Sequence, residues 1–252
     1  MTSPVILPLT SWGSSSAPLR ALLVHGLGSN GALMWRTGTT LSDAGWRADA
    51  VDLRGHGTAP RALDYTIAAY GTDLQHTRNG EQPWDLVVAH SLGGAAATWA
   101  AAADATWTKR LVLVDPAVHL AGRDHRLIRA SQQRSFADGS VAASMDQHPH
   151  WHQQDHELKA LSVAQSSHWA IEQTLDQNET TWDVRAEAAR ITTPTHVIGA
   201  DPEVYSIFTG ELAASVLQNP AFTMSVVHGA GHSPHRDKPA EYVEQLLATL
   251  AR

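Results

Sequence analysis

Short apolar runs that are hydrophobic at most positions constrain the fold of this chain more than any other feature. Continuous runs of this kind are typical of strands buried on both faces of a parallel sheet. Stretches with helical spacing separate them, so the pattern predicts an α/β fold with a mostly parallel, doubly wound sheet. The runs are residues 5–9, 19–26, 47–53, 85–91, 110–116, 195–201 and 222–229, and the helical stretches are residues 31–44, 67–78, 92–103, 211–217 and 239–250.

The alternation of strands and helices stops between residue 117 and about residue 190, where no β-type run occurs. The segment is polar, with helical patterning near residues 123–137 and 157–175. We therefore predict a core made of residues 1–117 and 191–252, with residues 118–190 inserted as a group of helices over one end of the sheet.

Composition limits the possible partners. The net charge of −7 argues against binding to a nucleic-acid backbone, and the absence of cysteine excludes disulfides, thiolate metal sites and a cysteine nucleophile. The first basic residue is Arg20, and no apolar run approaches the ~20 residues needed to span a bilayer. We expect a cytoplasmic protein that does not act at a membrane.

The sequence AHSLGG, Ala89 to Gly94, has the strongest chemical signature in the chain. It lies between a predicted strand and an alanine-rich predicted helix. A serine in such a sharp strand-to-helix turn is exposed as a nucleophile at a helix N-terminus, where developing negative charge is stabilised. The alternative is a serine that only caps the helix. With both glycines in place, we interpret Ser91 as a nucleophile.

Two further loops follow apolar runs. HGLGSNG, residues 25–31, fits either a backbone N–H donor loop for an oxyanion or a GxGxxG nucleotide loop with Asp52 as the ribose-binding acid. The serine turn downstream favours the first interpretation, with His25 as a structural residue. GAGHSPHRDKP, residues 229–239, places His232 where a general base could reach the serine, and we expect His235 to be solvated.

Together with DLRGHG, LVLVDPA and PTHVIGAD, these motifs make the chain resemble the α/β-hydrolase superfamily, in particular small serine esterases and lipases with a helical cap. The resemblance implies Ser91, His232 and Asp201 as the catalytic triad, and the backbone N–H groups of Leu27 and Leu92 as the oxyanion hole. It also implies that residues 118–190 form the cap and that Asp52 and Arg54 are structural. The sequence departs from the family pattern at Ala89, in place of the first glycine of the turn, and at Ala59, where a serine is common.

Two carboxylates compete for the role of triad acid. Asp115 and Asp201 each follow an apolar strand and each precede a proline. We favour Asp201, because the family's acid is more often found after the insertion, and interpret Asp115 as a turn-capping residue.

Tryptophans and histidines mark the predicted cap. Trp151, Trp169 and Trp182 are candidates to line an apolar substrate cavity, although they could equally form a small core of the cap. A metal site is conceivable in the histidine cluster that includes His152 and His156, but no HExxH motif is present, and we favour a polar cap surface.

These expectations combine into a serine hydrolase that cleaves a carboxylic ester or related acyl bond of a small molecule through an acyl-enzyme, with no metal or organic cofactor. The substrate class is a small-molecule ester or lactone. The alternatives are a lactone or C–C bond hydrolase with the same triad, a cofactor-free oxygenase, or a ligand-binding receptor of the same fold.

Overall fold

The computed structural model describes residues 3–77, 80 and 82–250. The outer ends of the predicted core segments and the last predicted residue of the helix at 67–78 lie outside this range.

A seven-stranded sheet organises the described residues, in the order β1-β3-β2-β4-β5-β6-β7. Every neighbouring pair is parallel except β1 and β3, which are antiparallel. The predicted α/β class with a mostly parallel sheet is therefore confirmed. The strands are β1 (Leu9–Trp12), β2 (Leu19–Val24), β3 (Trp46–Val51), β4 (Leu86–His90), β5 (Leu111–Val114), β6 (Thr195–Gly199) and β7 (Phe222–Val226).

The first strand begins later than predicted. We expected residues 5–9, but β1 is Leu9–Trp12, a largely exposed edge strand. Pro8 precedes it and cannot donate to a sheet ladder, although its carbonyl still accepts from the Asp52 N–H at 3.0 Å.

Helices cover the sheet and fill the insertion. Those of the core are α1 (Trp35–Asp43), preceded by the 3₁₀ turn Gly31–Met34, α2 (Ile67–His76), α3 (Leu92–Ala103), α9 (Gly210–Val216), α10 (Pro234–Asp237) and α11 (Pro239–Leu250). Between β5 and β6 lie α4 (Gly122–Ala137), α5 (Val141–Gln147), α6 (Gln153–Gln165), α7 (His168–Gln177) and α8 (Arg185–Ala188).

The two ends of the insertion pack into the main hydrophobic core. Val118, Leu120 and Trp182 are buried in the same cluster as Leu113 of β5 and Val197 of β6. The division into a core and a separate cap at residues 118 and 190 stays a prediction. Across the described residues, we find no helix that is both long and apolar enough to cross a membrane.

Candidate active site

Ser91 occupies the sharp turn between β4 and α3. Its φ of 53° and ψ of −118° are strained for a residue with a side chain. The turn requires small neighbours. A Cβ on Gly93 would lie 2.5 Å from the His25 carbonyl oxygen, and one on Gly94 would lie 2.7 Å from Cβ of Pro116. The glycines therefore let the chain turn tightly enough to hold Ser91 at the end of the sheet.

His232 lies on the loop that follows β7 and contacts both Ser91 and an aspartate. Its Nδ1 is 2.6 Å from Oδ2 of Asp115, and its Nε2 is 2.9 Å from Oγ of Ser91. A carboxylate only accepts hydrogen bonds, so Nδ1 carries the proton and Nε2 is free to accept from the serine hydroxyl. This is the arrangement in which an imidazole can remove the serine proton.

Asp115 is fully buried at the end of β5 and accepts four hydrogen bonds. Besides His232, the donors are Oγ of Ser206 at 2.6 Å and the backbone N–H groups of Ile207 and Ala200, at 3.2 and 3.4 Å. Its φ of 36° makes it, with Ser91, one of the two non-glycine residues with positive φ in the described part of the chain. Strain of this kind concentrates at functional sites, and here both strained residues contact His232.

The prediction that Asp201 orients His232 is wrong in this structure. Its Oδ2 accepts from the Gly229 N–H at 2.7 Å and its Oδ1 from the Glu203 N–H at 2.9 Å. These two backbone donors, Gly229 first, lower the pKa of Asp201. Asp201 thus fastens the backbone of the loop that carries His232, while Asp115 holds the ring. The sequence contained one relevant signal for Asp115, its position on the strand next to β4, but the backbone strain could not be inferred.

Both predicted oxyanion donors belong to segments that adjoin Ser91. Leu92 is the first residue of α3, where an N–H group has no acceptor within its own helix. Leu27 follows Gly26, where an added Cβ would lie 3.0 Å from Cβ of Ser91. The loop before Leu27 therefore passes directly beside the serine. The role of the two N–H groups stays a prediction.

His25 of the first glycine-rich loop and Asp52, which binds the end of that loop, have structural partners. Nδ1 of His25 donates to the Gly26 carbonyl at 2.7 Å, and its Nε2 accepts from the Leu53 N–H at 3.0 Å. Asp52 accepts from the Gly31 N–H and from both the N–H and the hydroxyl of Thr58. Its carboxylate is thus engaged by the protein, which argues against a ribose-binding role.

Arg54 is structural as the resemblance implied. Its guanidinium donates to both carboxylate oxygens of Asp73, each at 2.6 Å, and both side chains are buried.

A cavity of about 970 Å³ opens beside Ser91 and His232. Residues of α4, of α5 and of the loop between α5 and α6 form much of its wall.

Of the three candidate tryptophans, Trp151 lines the cavity. Trp169 lies against Tyr65 with 46% of its surface exposed. Trp182 is buried in the core and donates to the Ala117 carbonyl at 2.8 Å. The prediction that Trp169 and Trp182 line the cavity is therefore wrong.

The prediction that His235 is solvated is also wrong, because only 3% of its surface is exposed. Its ring packs against His90, with the ring centroids 4.8 Å apart. Burial lowers the pKa of both histidines well below the usual value. Nε2 of the neutral His90 donates to the His232 carbonyl at 2.8 Å, which gives the loop that carries His232 a second attachment.

The histidines of the insertion serve local structure. His152 caps α6 through the Gln154 N–H, and Nδ1 of His156 is 2.9 Å from Oγ of Ser144. His148 stacks on the Trp151 indole with 3.8 Å between the ring centroids. Among the residues that the structure describes, no group of three or more histidine or carboxylate side chains is placed to hold a metal ion.

Comparison with known proteins places this arrangement in a family. Residues 21–245 match the family described as the alpha/beta hydrolase family. The chain belongs to the alpha/beta hydrolase family. The lipase LipV of Mycobacterium tuberculosis is 36% identical to this hydrolase over 130 residues, which is 51% of this chain and 46% of LipV. The match thus spans about half the length of that relative.

Solved structures agree on the fold. N-formylmaleamic acid deformylase from Pseudomonas putida S16 superposes with a TM-score of 0.81 at 22% identity, over 96% of both chains. E-2-(acetamidomethylene)succinate hydrolase gives the same score and identity over 98% of this chain and 96% of its own. The esterase EaEST from Exiguobacterium antarcticum covers all of both chains at a TM-score of 0.79 and 18% identity.

Proposed function

We propose that this hydrolase is a serine enzyme that cleaves a carboxylic ester or related acyl bond of a small molecule through a covalent acyl-enzyme. The observation that carries the proposal is the chain of two hydrogen bonds from Ser91 through His232 to Asp115. The named relatives, which include a lipase, an esterase and a deformylase, support acyl chemistry in general and do not select one bond.

In the proposed reaction, Nε2 of His232 takes the proton from Ser91 as Oγ attacks the carbonyl carbon. Asp115 stabilises the imidazolium that forms, and the N–H groups of Leu27 and Leu92 donate to the oxyanion. His232 then gives the proton to the leaving group, and the acyl group remains on Ser91. Water, deprotonated by His232, attacks this acyl-enzyme and releases the acid and the free serine.

We further propose that the helices of residues 118–190 act as a cap that contributes to substrate choice, with Trp151 as its aromatic contact. The position of Trp151 on the cavity wall supports this role. The burial of Trp182 in the core and the position of Trp169 against Tyr65 leave those two outside it.

A fluorophosphonate probe and a panel of chromogenic esters and lactones test the proposal. Wild type should be labelled at Ser91, and Ser91→Ala should lose labelling and about 10⁶-fold in turnover. Ser29→Ala is the matched control, because Ser29 lines the same cavity and its hydroxyl is also buried. It should still be labelled.

Labelling of Ser91→Ala at the wild-type rate would contradict the nucleophile assignment. The panel also separates the alternatives. Turnover of lactones alone favours a lactonase, and consumption of oxygen with a heteroaromatic substrate favours a cofactor-free oxygenase. Stoichiometric labelling without turnover of any compound favours a ligand-binding receptor.

A further inference from the structure

A buried arginine in the wall of the cavity beside Ser91 has no hydrogen-bond or ion-pair partner for its guanidinium among the described residues. Arg236, in α10, is 6% exposed and lines the same cavity as Ser91 and His232. Its Nε is buried without a hydrogen-bond partner. No carboxylate of the described residues lies within 4.0 Å of its guanidinium. Burying an unpaired charge is energetically unfavourable, so such groups normally have a counterion.

The two carboxylates that interact electrostatically with Arg236 are engaged by other donors. Asp155 accepts from Nε1 of Trp35 at 2.8 Å and forms a salt bridge with Arg36 at 2.9 Å. Asp237 accepts from Nε1 of Trp151 at 2.7 Å. Both carboxylates offset part of the charge at Arg236, yet burial still lowers the pKa of its guanidinium. The protein therefore leaves a cation in the cavity that it only partly compensates.

A second cation lies in the same wall. Lys159 of α6 lines the cavity, and its Nζ donates to the Gly28 carbonyl at 3.0 Å. Burial, followed by repulsion from Arg236, lowers the pKa of Lys159 to about 8. The other charged residues of the cavity wall, besides Asp237, are Arg134, Asp138 and Lys238. Since Arg134 and Asp138 are exposed, the inner charges are predominantly positive.

Trp151 fixes the position of the guanidinium. Cζ of Arg236 lies 5.0 Å from the centre of the Trp151 indole ring. The same indole also stacks with the ring of His148. A cation held over an aromatic face keeps its N–H groups available to a ligand. A guanidinium presents these groups as a planar fork that matches a carboxylate.

We propose that Arg236, assisted by Lys159, binds a carboxylate of the substrate, so that this hydrolase acts on acyl compounds that carry a free carboxylate besides the bond to be cleaved. The proposal rests on the function proposed for Ser91. It concerns recognition only and adds no chemical step to the mechanism.

A pair of esters that differ mainly in charge tests the role of Arg236. Mono-4-nitrophenyl glutarate carries a terminal carboxylate, whereas 4-nitrophenyl pentanoate is neutral. The ratio of kcat/KM for the anionic ester over the neutral one should fall about 10- to 100-fold in Arg236→Gln. Arg236→Lys, which keeps the charge without the fork, should lose less. Arg134→Gln removes an exposed arginine from the same cavity and should keep the wild-type ratio.

Equal losses for both esters, or no change in the ratio, would overturn the proposal, because a purely structural arginine would not distinguish the two substrates. Thermal melts establish that each variant is folded. If Arg236→Gln does not fold, Arg236→Met, which replaces the charge with an apolar side chain that suits the buried position, decides: an unchanged ratio there overturns the proposal.

A binding measurement separates this inference from the serine mechanism. Calorimetry with glutarate and Ser91→Ala needs no turnover. Binding that weakens at least tenfold when Arg236→Gln is added supports carboxylate recognition, even if the fluorophosphonate test fails. Equal binding by both proteins, or no binding by either, rejects carboxylate recognition whatever the outcome at Ser91.

Discussion

The ends of β5 and β6 carry two aspartates in closely similar sequence settings, and the fold uses them differently. Asp115 and Asp201 both follow an apolar parallel strand and both precede a proline. Asp115 is strained, fully buried and bonded to the His232 ring. Asp201 is bonded to backbone N–H groups of nearby loops, and its Oδ2 lies 3.7 Å from Nδ1 of the exposed His228. Backbone conformation at the strand end, and not the residue type, distinguishes the aspartate that contacts the histidine.

Two kinds of support therefore hold the loop that carries His232. Asp115 holds the imidazole and sets its tautomer, whereas Asp201 holds the backbone at Gly229, three residues before His232. Removing the first should impair chemistry, and removing the second should mainly loosen the loop. Variants at the two aspartates should separate these two roles.

The largest effect is expected for Asp115→Asn. Asparagine keeps the shape of the side chain but no longer provides a carboxylate for the Nδ1 proton, which favours the wrong tautomer of His232. Loss of a triad acid in this manner lowers turnover by about 10⁴-fold. Turnover of the best ester from the panel, measured at matched concentrations of folded protein, checks this prediction.

Asp201→Asn is the matched variant for that measurement. If Asp115→Asn stays near wild type while Asp201→Asn loses orders of magnitude, the structural assignment is reversed and the acid is the one that we predicted from the sequence. Slow residual labelling of Asp115→Asn by the fluorophosphonate agrees with the assignment, because Ser91 itself is retained.

Sequence patterns predicted the sheet, the serine turn and the histidine loop because each depends on local chemistry. Continuous apolar runs indicate buried strands. At Gly93 and Gly94, a Cβ atom would lie less than 3.0 Å from neighbouring atoms, so the turn requires glycine at both positions. The choice between Asp115 and Asp201 depended instead on where the loop after β6 lies. Ser206 and Ile207 of that loop donate hydrogen bonds to Asp115. They lie 91 and 92 residues after Asp115 in the sequence, so local sequence patterns do not predict these contacts.

The insertion was predicted less well for a related reason. Its helical character was visible, since α4 to α7 fill the segment without strands. Which tryptophan reaches the cavity depends on how these helices pack on the core. The sequence pattern does not distinguish Arg236 from the other residues of the motif around His232. Its buried Nε without a hydrogen-bond partner is a property of the packed structure alone.

Buried histidines make the stability of the fold depend on pH. Burial lowers the pKa of His25 to about 4 and of His56 to about 3. Because the unfolded chain takes up these protons near pH 6.5 and the folded chain does not, acid favours unfolding. The stabilisation is fully present above pH 6.5 and is lost progressively as the pH falls towards 4 for His25 and towards 3 for His56.

Between pH 6.5 and 5.0, each such histidine should reduce the free energy of unfolding by ~2 kcal/mol. Urea unfolding of wild type and His56→Asn at both pH values measures this, because asparagine can still donate to the Arg54 carbonyl that His56 contacts at 3.0 Å. In the variant, the free energy of unfolding should change less between these two pH values, by roughly the contribution of one histidine. His76→Asn, on the exposed part of α2, is the control. Equal pH dependence in all three proteins would count against the buried neutral His56.

The smallest effect is expected for Asp201→Asn, and its pH dependence identifies its origin. The Gly229 and Glu203 N–H groups hold the pKa of Asp201 below its ordinary value of 3.8. The carboxylate therefore stabilises the fold above pH 3.8 and loses this contribution as the pH falls through the lower folded pKa.

Asparagine can accept only one of the two hydrogen bonds, so kcat/KM should fall by about tenfold or less and the Tm should decrease. The difference in Tm from wild type should be smaller at pH 3.5 than at pH 5. Glu203→Gln is the control, because it changes an exposed neighbouring side chain and keeps the N–H that Asp201 accepts. A difference in Tm that persists undiminished at pH 3.5 would mean that the carboxylate charge is not what holds the loop.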